Sequence, residues 1–251
     1  MAAPLSIQLY TLREEAQKDF PAVLRAVAEI GYKGVEFAGL HGHKPEEIRK
    51  IIDDLGLQVS SAHVGVPTKE NISQLADTER TLGNTRLVAG MGPNQFRTLD
   101  DCKRTAEHFQ QAADLAAANG LTFGFHNHWW EFELVDGQAP YEILMENAPG
   151  AFSELDVYWA AYAGADPAIV VAGHKDRLPL LHIKDGNLEK DGPMTAVGSG
   201  KLDMPAIVGA ADPNVLQWLI VELDRCATDM TEAVRQSYQY LTSQGLALGN
   251  K

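Results

Sequence analysis

The sequence predicts a closed (β/α)₈ barrel, a TIM barrel, folded as a single domain over residues 1–251. Two observations predict it, and length agrees. Short runs rich in apolar and β-branched residues alternate with helical patterns eight times, the signature of a parallel sheet covered by helices. No GxGxxG follows the first strand, so a doubly wound open sheet has little support. A chain of 251 residues suits one eight-unit barrel.

The elements follow in order. Pro4–Tyr10 is the first strand, with Ile7 and Leu9 alternating with Ser6 and Gln8. Phe20–Ile30 has helical spacing, Val23, Val27 and Ile30 sharing a face, and Gly31 stops it. Lys33–Phe37 is the second strand and carries Glu36. Pro45–Leu55 is a helix opened by Pro45, with Ile48, Ile51, Ile52 and Leu55 in one stripe. Leu57–Val64 is the third strand and carries His63. A polar helix covers Lys69–Leu82, and Asn84–Ala89 is a short fourth strand. The Ala-rich stretch Asp100–Asn119 is a long helix closed by Gly120. The fifth strand opens FGFHNHWWEFE, Phe123–Glu133. A short helix at Ala139–Asn147 leads to the sixth strand, Phe152–Val157, which carries Asp156. Asp166 and Pro167 are a good cap and first residue for the helix Asp166–Ala172. The seventh strand, Leu178–Lys184, carries His182. A loop, Asp185–Lys201, holds Gly186, Gly192, Gly198 and Gly200. The helix Asp203–Ala211, the eighth strand Gln217–Leu223 with Glu222, and the helix Asp229–Leu241 complete the chain.

Composition narrows the function classes. With 45% hydrophobic and 22% charged residues the chain can bury a full core. A net charge of −13 argues against a nucleic-acid or anionic-membrane partner. Cys102 and Cys226 stand far apart without CxxC spacing, so neither a disulfide framework nor a thiolate zinc site is expected. The start, MAAPLSIQLY, has no basic region followed by an apolar segment, and no apolar run reaches membrane-spanning length. The cytoplasm is the expected compartment.

In a barrel, functional groups sit at the C-terminal strand ends. His126 and His128 are two residues apart at the end of the fifth strand, so both imidazoles leave on one side. Asp156, His182 and Glu222 end three successive strands inside apolar runs, SELDV, LLHIK and LIVEL. Buried carboxylates are costly unless paired or metal-bound, and a divalent metal resolves the repulsion between them. The mixed oxygen and nitrogen donors suit Mn²⁺ best, with Mg²⁺, Fe²⁺, Co²⁺ or Zn²⁺ as alternatives. The fifth strand supplies the fourth ligand. His126 has the strand-end position, and Glu131, on the loop behind it, has the harder charge. A third carboxylate suits Mn²⁺ better, which favours Glu131.

These residues resemble the xylose-isomerase-like (β/α)₈ superfamily, in its branch of sugar phosphate isomerases/epimerases. The likeness runs nearly the whole length and is carried by HNHWWEFE, ELDVYWAAYAGADP, RLPLLHIKDG, VGSGKLD and IVELD in that order. It implies one divalent metal held by Glu, Asp, His and Glu from the last four strands. Asp156, His182 and Glu222 match in place. His126 departs, standing where many relatives have Glu. The glycine loop departs too, with Ser199 where relatives commonly carry an acid.

The expected function is therefore a metal-dependent isomerase or epimerase of keto-sugars, moving a proton beside a carbonyl. The acid–base candidates are His126, His128 and Lys184, the last as a base if the metal lowers its pKa. Glu36, His63, Trp129 and Trp159 are expected to contact substrate, with Trp130 and Tyr10 as further walls. Few basic residues lie near the eighth strand, only Lys201 and Arg225, which favours an unphosphorylated sugar. A lyase or dehydratase acting on a keto-inositol or 3-keto-glycoside begins with the same enolate. An abasic-site endonuclease calls for a basic face that this chain lacks, and a non-catalytic sugar binder needs no metal. The sequence leaves a homo-oligomer open.

Overall fold

A computed structural model describes residues 2–189 and 192–251. Eight strands pair in parallel in chain order: β1 (Ala3–Gln8), β2 (Gly34–Phe37), β3 (Gln58–His63), β4 (Arg86–Ala89), β5 (Thr122–His126), β6 (Phe152–Asp156), β7 (Leu180–Ile183) and β8 (Trp218–Val221). β8 pairs back onto β1 through Leu5↔Leu219, Ser6↔Ile220 and Ile7↔Val221, which closes the barrel. A two-residue strand, β9 (Ala247–Leu248), adds to β1 from outside that circle.

The helices are α1 (Arg13–Ile30), α2 (Pro45–Asp54), α3 (Ile72–Leu82), α4 (Leu99–Ala118), α5 (Pro140–Asn147), α6 (Val157–Tyr162), α7 (Pro167–His174), α8 (Met204–Gly209) and α9 (Met230–Ser243). The expected start at Phe20 marks a real break within α1. Asp19 has non-helical φ and ψ of −154° and 88°, and its carboxylate accepts the Ala22 N–H. The chain is helical on both sides of that break, so α1 begins seven residues earlier than the periodicity suggests. Helix α6 was not expected. It is one and a half turns long, starts where β6 ends, and is capped by Asp156 Oδ1, which accepts the Trp159 N–H at 2.9 Å.

The strand period of two sorts the side chains into two sets. Leu155, Leu181, Ile183, Leu219 and Val221 face outward into one large core shared with the helices. The alternate residues point into the barrel, where Val88, Leu180, Trp218 and Ile220 plug its lower end. Above the plug the lining turns polar, with Ser6 Oγ and Ser60 Oγ 2.8 Å apart. Each strand then continues its inward series into the mouth: Glu154 and Asp156 on β6, His182 and Lys184 on and after β7, Glu222 just past β8. The fold thus carries several ionisable side chains inward on a rigid frame. No described helix is long and apolar enough to cross a membrane.

The loop expected at 185–201 includes Lys190 and Asp191, which lie outside the described residues. Its described parts include an antiparallel pair, Asp185–Gly186 with Met194–Thr195.

Candidate functional site

Two ligand groups meet at the C-terminal mouth. His126, Asp156, His182 and Glu222, all buried, offer donor atoms within 4.8 Å of one another. A second group, His63, His126, Glu154 and His182, shares two of these residues. Glu154 was missed by sequence reading. The signal was present, because Glu154 and Asp156 are two apart on one strand and must share a face.

His182 is fully enclosed, with Nδ1 2.8 Å from Glu222 Oε2 and Nε2 2.9 Å from Glu36 Oε1. Burial alone would lower its pKa, but Glu154, Glu36 and Glu222 raise it well above that of ordinary imidazole. His126 goes the other way. Burial dominates and holds it well below the usual value. Burial raises the Asp156 carboxyl to about 6, against the pull of Lys184 and His182. Glu36 rises to about 7, through burial and then the charge of Glu154.

Lys184 Nζ lies 2.9 Å from Asp156 Oδ2, 2.7 Å from Glu222 Oε2 and 2.8 Å from Asp224 Oδ2. Burial opposes the ammonium, but these three carboxylates hold its pKa well above the ordinary lysine value. Through the protein's own groups alone Lys184 thus keeps its proton, whereas the expected lowering rests on a bound metal. Its partners are Asp156, Glu222 and Asp224. Asp185 is occupied elsewhere.

His128 follows β5 on the same side as His126, the two rings 5.2 Å apart, and stacks on Trp130 at 4.2 Å. Burial, reinforced by the Lys184 charge, lowers its pKa to about 4, so the ring is neutral at pH 7. Its backbone N–H donates to Glu131 Oε2 at 2.8 Å. Glu131 is buried within its own loop and is not among the grouped donors. Burial raises its carboxyl to about 8, with the His128 N–H opposing. Asn127, between the histidines, joins the loop to β6: its Oδ1 accepts the Asp156 N–H at 2.9 Å.

The site opens into two cavities. One, of about 520 Å³, is lined by Tyr10, His63, His126, His128, Trp130 and Lys184 among others. The other, of about 850 Å³, is lined by Arg13, Trp129, Trp159, Tyr162 and Arg225 among others. His128 and Asp224 line both. Of the residues expected to contact substrate, His63, Trp129 and Trp159 therefore line a cavity. Glu36 is fully enclosed and hydrogen-bonded by Gln8 Nε2 and Ser61 Oγ.

The residues present fit a divalent cation. Two carboxylates and two imidazoles converge from β5, β6, β7 and β8. Among the described residues Asp156 Oδ2 has no hydrogen-bond partner apart from the Lys184 ammonium 2.9 Å away, and His126 Nε2 stands 3.8 Å from it, too far for a hydrogen bond. A ligated ion would give both atoms a partner.

The glycine loop has a structural cause. The Asp185 carboxylate accepts the N–H groups of Gly186, Gly198, Gly200 and Leu202 at 2.8, 2.9, 3.0 and 3.2 Å. Gly198 has φ of +89°, and a Cβ at Gly200 would strike that carboxylate. Asp185→Ala should therefore free the loop and cost about 2–4 kcal/mol in urea unfolding, because it leaves four N–H groups without their charged acceptor. A loss under about 0.5 kcal/mol would contradict this role.

Comparison with known proteins agrees with this architecture. A crystal structure of a sugar phosphate isomerase/epimerase from Parabacteroides distasonis ATCC 8503 superposes with a TM-score of 0.81 at 27% identity, covering 99% of this chain and 96% of that one. A structure of L-ribulose 3-epimerase covers 97% of this chain and 94% of its own, with a TM-score of 0.73 at 19% identity, a likeness of fold. Inosose dehydratase from Geobacillus kaustophilus (strain HTA426) is 22% identical over 87% of this chain and 82% of its own. The family described as xylose isomerase-like TIM barrel matches residues 24–244, and the chain belongs to that family.

Proposed function

We propose that the protein is a divalent-metal-dependent isomerase or epimerase of keto-sugars, working by proton transfer beside a carbonyl. The observation that carries this reading is the convergence of His126, Asp156, His182 and Glu222 beside a neutral His128 and a charged Lys184, next to an open cavity. His126 is the fourth ligand in this reading and Glu131 is not. His126 offers a donor atom to the group, whereas Glu131 accepts the His128 N–H and fixes the loop. Two nitrogens and two oxygens make the site suitable for Zn²⁺, Fe²⁺ or Co²⁺ as well as Mn²⁺.

A cation held there would supply Lewis-acid polarisation of the substrate's carbonyl. The protein's own groups do the rest. His128, kept neutral by burial, removes the proton next to the carbonyl. The Lys184 ammonium, its three N–H groups held by Asp156, Glu222 and Asp224, donates a hydrogen bond to a substrate oxygen by releasing one of these carboxylates. Trp129, Trp130, Trp159 and Tyr10 give apolar faces against which a sugar ring packs. Arg13 and Arg225 line the larger cavity and Lys184 the smaller, so the lining does not select between a phosphorylated and an unphosphorylated sugar.

A second reading, a dehydratase, is favoured by the relative named inosose dehydratase. It begins with the same proton removal and differs in what leaves. Incubating a keto-sugar with the metal-loaded protein in deuterated water separates the two. Deuterium at the carbon beside the carbonyl, with every oxygen retained, indicates isomerisation or epimerisation. Deuterium with loss of water indicates the dehydratase. No incorporation across keto-sugars and keto-inositols would refute both.

A further inference from the structure

Behind the four-residue group lies a second one, reached through the opposite faces of two shared imidazoles. His182 turns Nδ1 toward Glu222 but Nε2 toward Glu36 Oε1 and Glu154 Oε2, at 2.9 and 3.1 Å. His126 turns Nε2 toward Asp156 Oδ2, at 3.8 Å, and Nδ1 toward Glu154 Oε2, at 3.3 Å. His63 completes the inner set, with Nε2 2.6 Å from Glu154 Oε2 and 3.2 Å from Glu36 Oε1. We infer that Glu36, His63, Glu154 and His182 form a second divalent-cation site, joined to the first by His182, whose ring gives up both N–H protons to solvent and bridges as imidazolate when both cations are bound.

Four observations carry it. The first is geometry. Glu36 Oε1, His63 Nε2, Glu154 Oε2 and His182 Nε2 form a ring of alternating oxygen and nitrogen with edges of 2.6–3.2 Å. A tetrahedral shell with bonds of about 2.0–2.2 Å spaces its donors roughly 3.3–3.6 Å apart, so the edges need to open by about 0.1–1.0 Å, most between His63 and Glu154. Two imidazoles with two carboxylates are a zinc-type donor set.

The second is charge. Lys184 serves Asp156, Glu222 and Asp224 and pairs with neither inner carboxylate. Glu36 and Glu154 are wholly enclosed and, among the described residues, have only imidazoles as ionic partners. Such a pair is costly without a counter-charge. The third is unspent capacity. Glu154 Oε1, the second oxygen of an inner ligand, is buried without a hydrogen-bond partner among the described residues. The fourth is support from behind. Gln8 Nε2 and Ser61 Oγ fix the Glu36 carboxylate, as outer hydrogen bonds fix ligating carboxylates. An ion can enter, because His63 lines the 520 Å³ cavity.

The inner site shares His182 with the outer one, and Glu154 lies on β6 beside the outer Asp156, but Glu36 and His63 belong to the inner site alone, on β2 and β3, so variants there separate the two. The test is titration of chelator-treated protein with Zn²⁺, followed by desalting and plasma mass spectrometry. Wild type should retain two equivalents, and Glu36→Gln and His63→Ala one each. His63 is partly exposed, so His63→Ala serves where Glu36→Gln does not fold. Wild type with one equivalent or fewer, or two equivalents unchanged in both variants, would overturn the inner site; protonated imidazoles then balance Glu36 and Glu154. Asp156→Asn reads the outer site separately. If Asp156→Asn keeps both equivalents while the inner variants each lose one, the outer assignment fails and the inner one stands.

Discussion

Asp156→Asn and Glu222→Gln should each strip the outer site of its cation. Both carboxylates are buried, at 0% and 5% exposure, one at the end of β6 and the other just past β8. Each substitution removes a hard, charged donor from a set of four. Changes in the outer hydrogen bonds of metal ligands already reach roughly 100-fold in affinity, and losing a ligand costs more than that. Activity should fall with the cation, by about 10²–10⁴-fold in kcat/KM, because several kcal/mol of transition-state stabilisation goes with it. Asp156 also caps α6, and an amide oxygen can still accept the Trp159 N–H, so the fold should survive. Metal content by plasma mass spectrometry and circular dichroism check both halves. Undiminished metal at this site in both variants would end the ligand assignment.

The second large effect is expected at His128 and Lys184. Exchange of the substrate proton beside the carbonyl with deuterated solvent should fall about 10²–10⁴-fold in His128→Ala with metal still bound. Lys184→Met should fall comparably, and it also leaves Asp156, Glu222 and Asp224 facing one another without their ammonium. The pH profile carries a sign. A base works only when deprotonated, and burial with the Lys184 charge lowers the His128 pKa to about 4. The acid limb of kcat/KM should therefore bend near pH 4, with activity lost below it and kept above. Wild-type exchange in His128→Ala with metal still bound would exclude His128 as the base.

Much of this was legible in the sequence because strand geometry is. Eight apolar runs gave eight strands, and polar residues at their ends had to point into one mouth. Asp156, His182 and Glu222 were found by that rule alone. Glu154 and Asp224 obey it too, each two residues from a recognised site residue, but they sit in runs read as a single strand-end residue. The choice between His126 and Glu131 was not legible. It turns on where the loop after β5 folds, and Glu131 curls back onto the His128 N–H. The state of Lys184 was equally hidden, since Asp224 approaches it from another strand's end. Helix α6 was too short for a periodic signal, and the break at Asp19 masked the first part of α1.

The most direct measurement is anomalous diffraction from crystals grown with Zn²⁺ or Mn²⁺. A peak should lie within bonding distance, roughly 2.0–2.2 Å, of His126, Asp156, His182 and Glu222, with Glu131 still bound to the His128 N–H. A peak bonded to Glu131 with His126 turned away, or no peak between Asp156 and Glu222, would contradict the account.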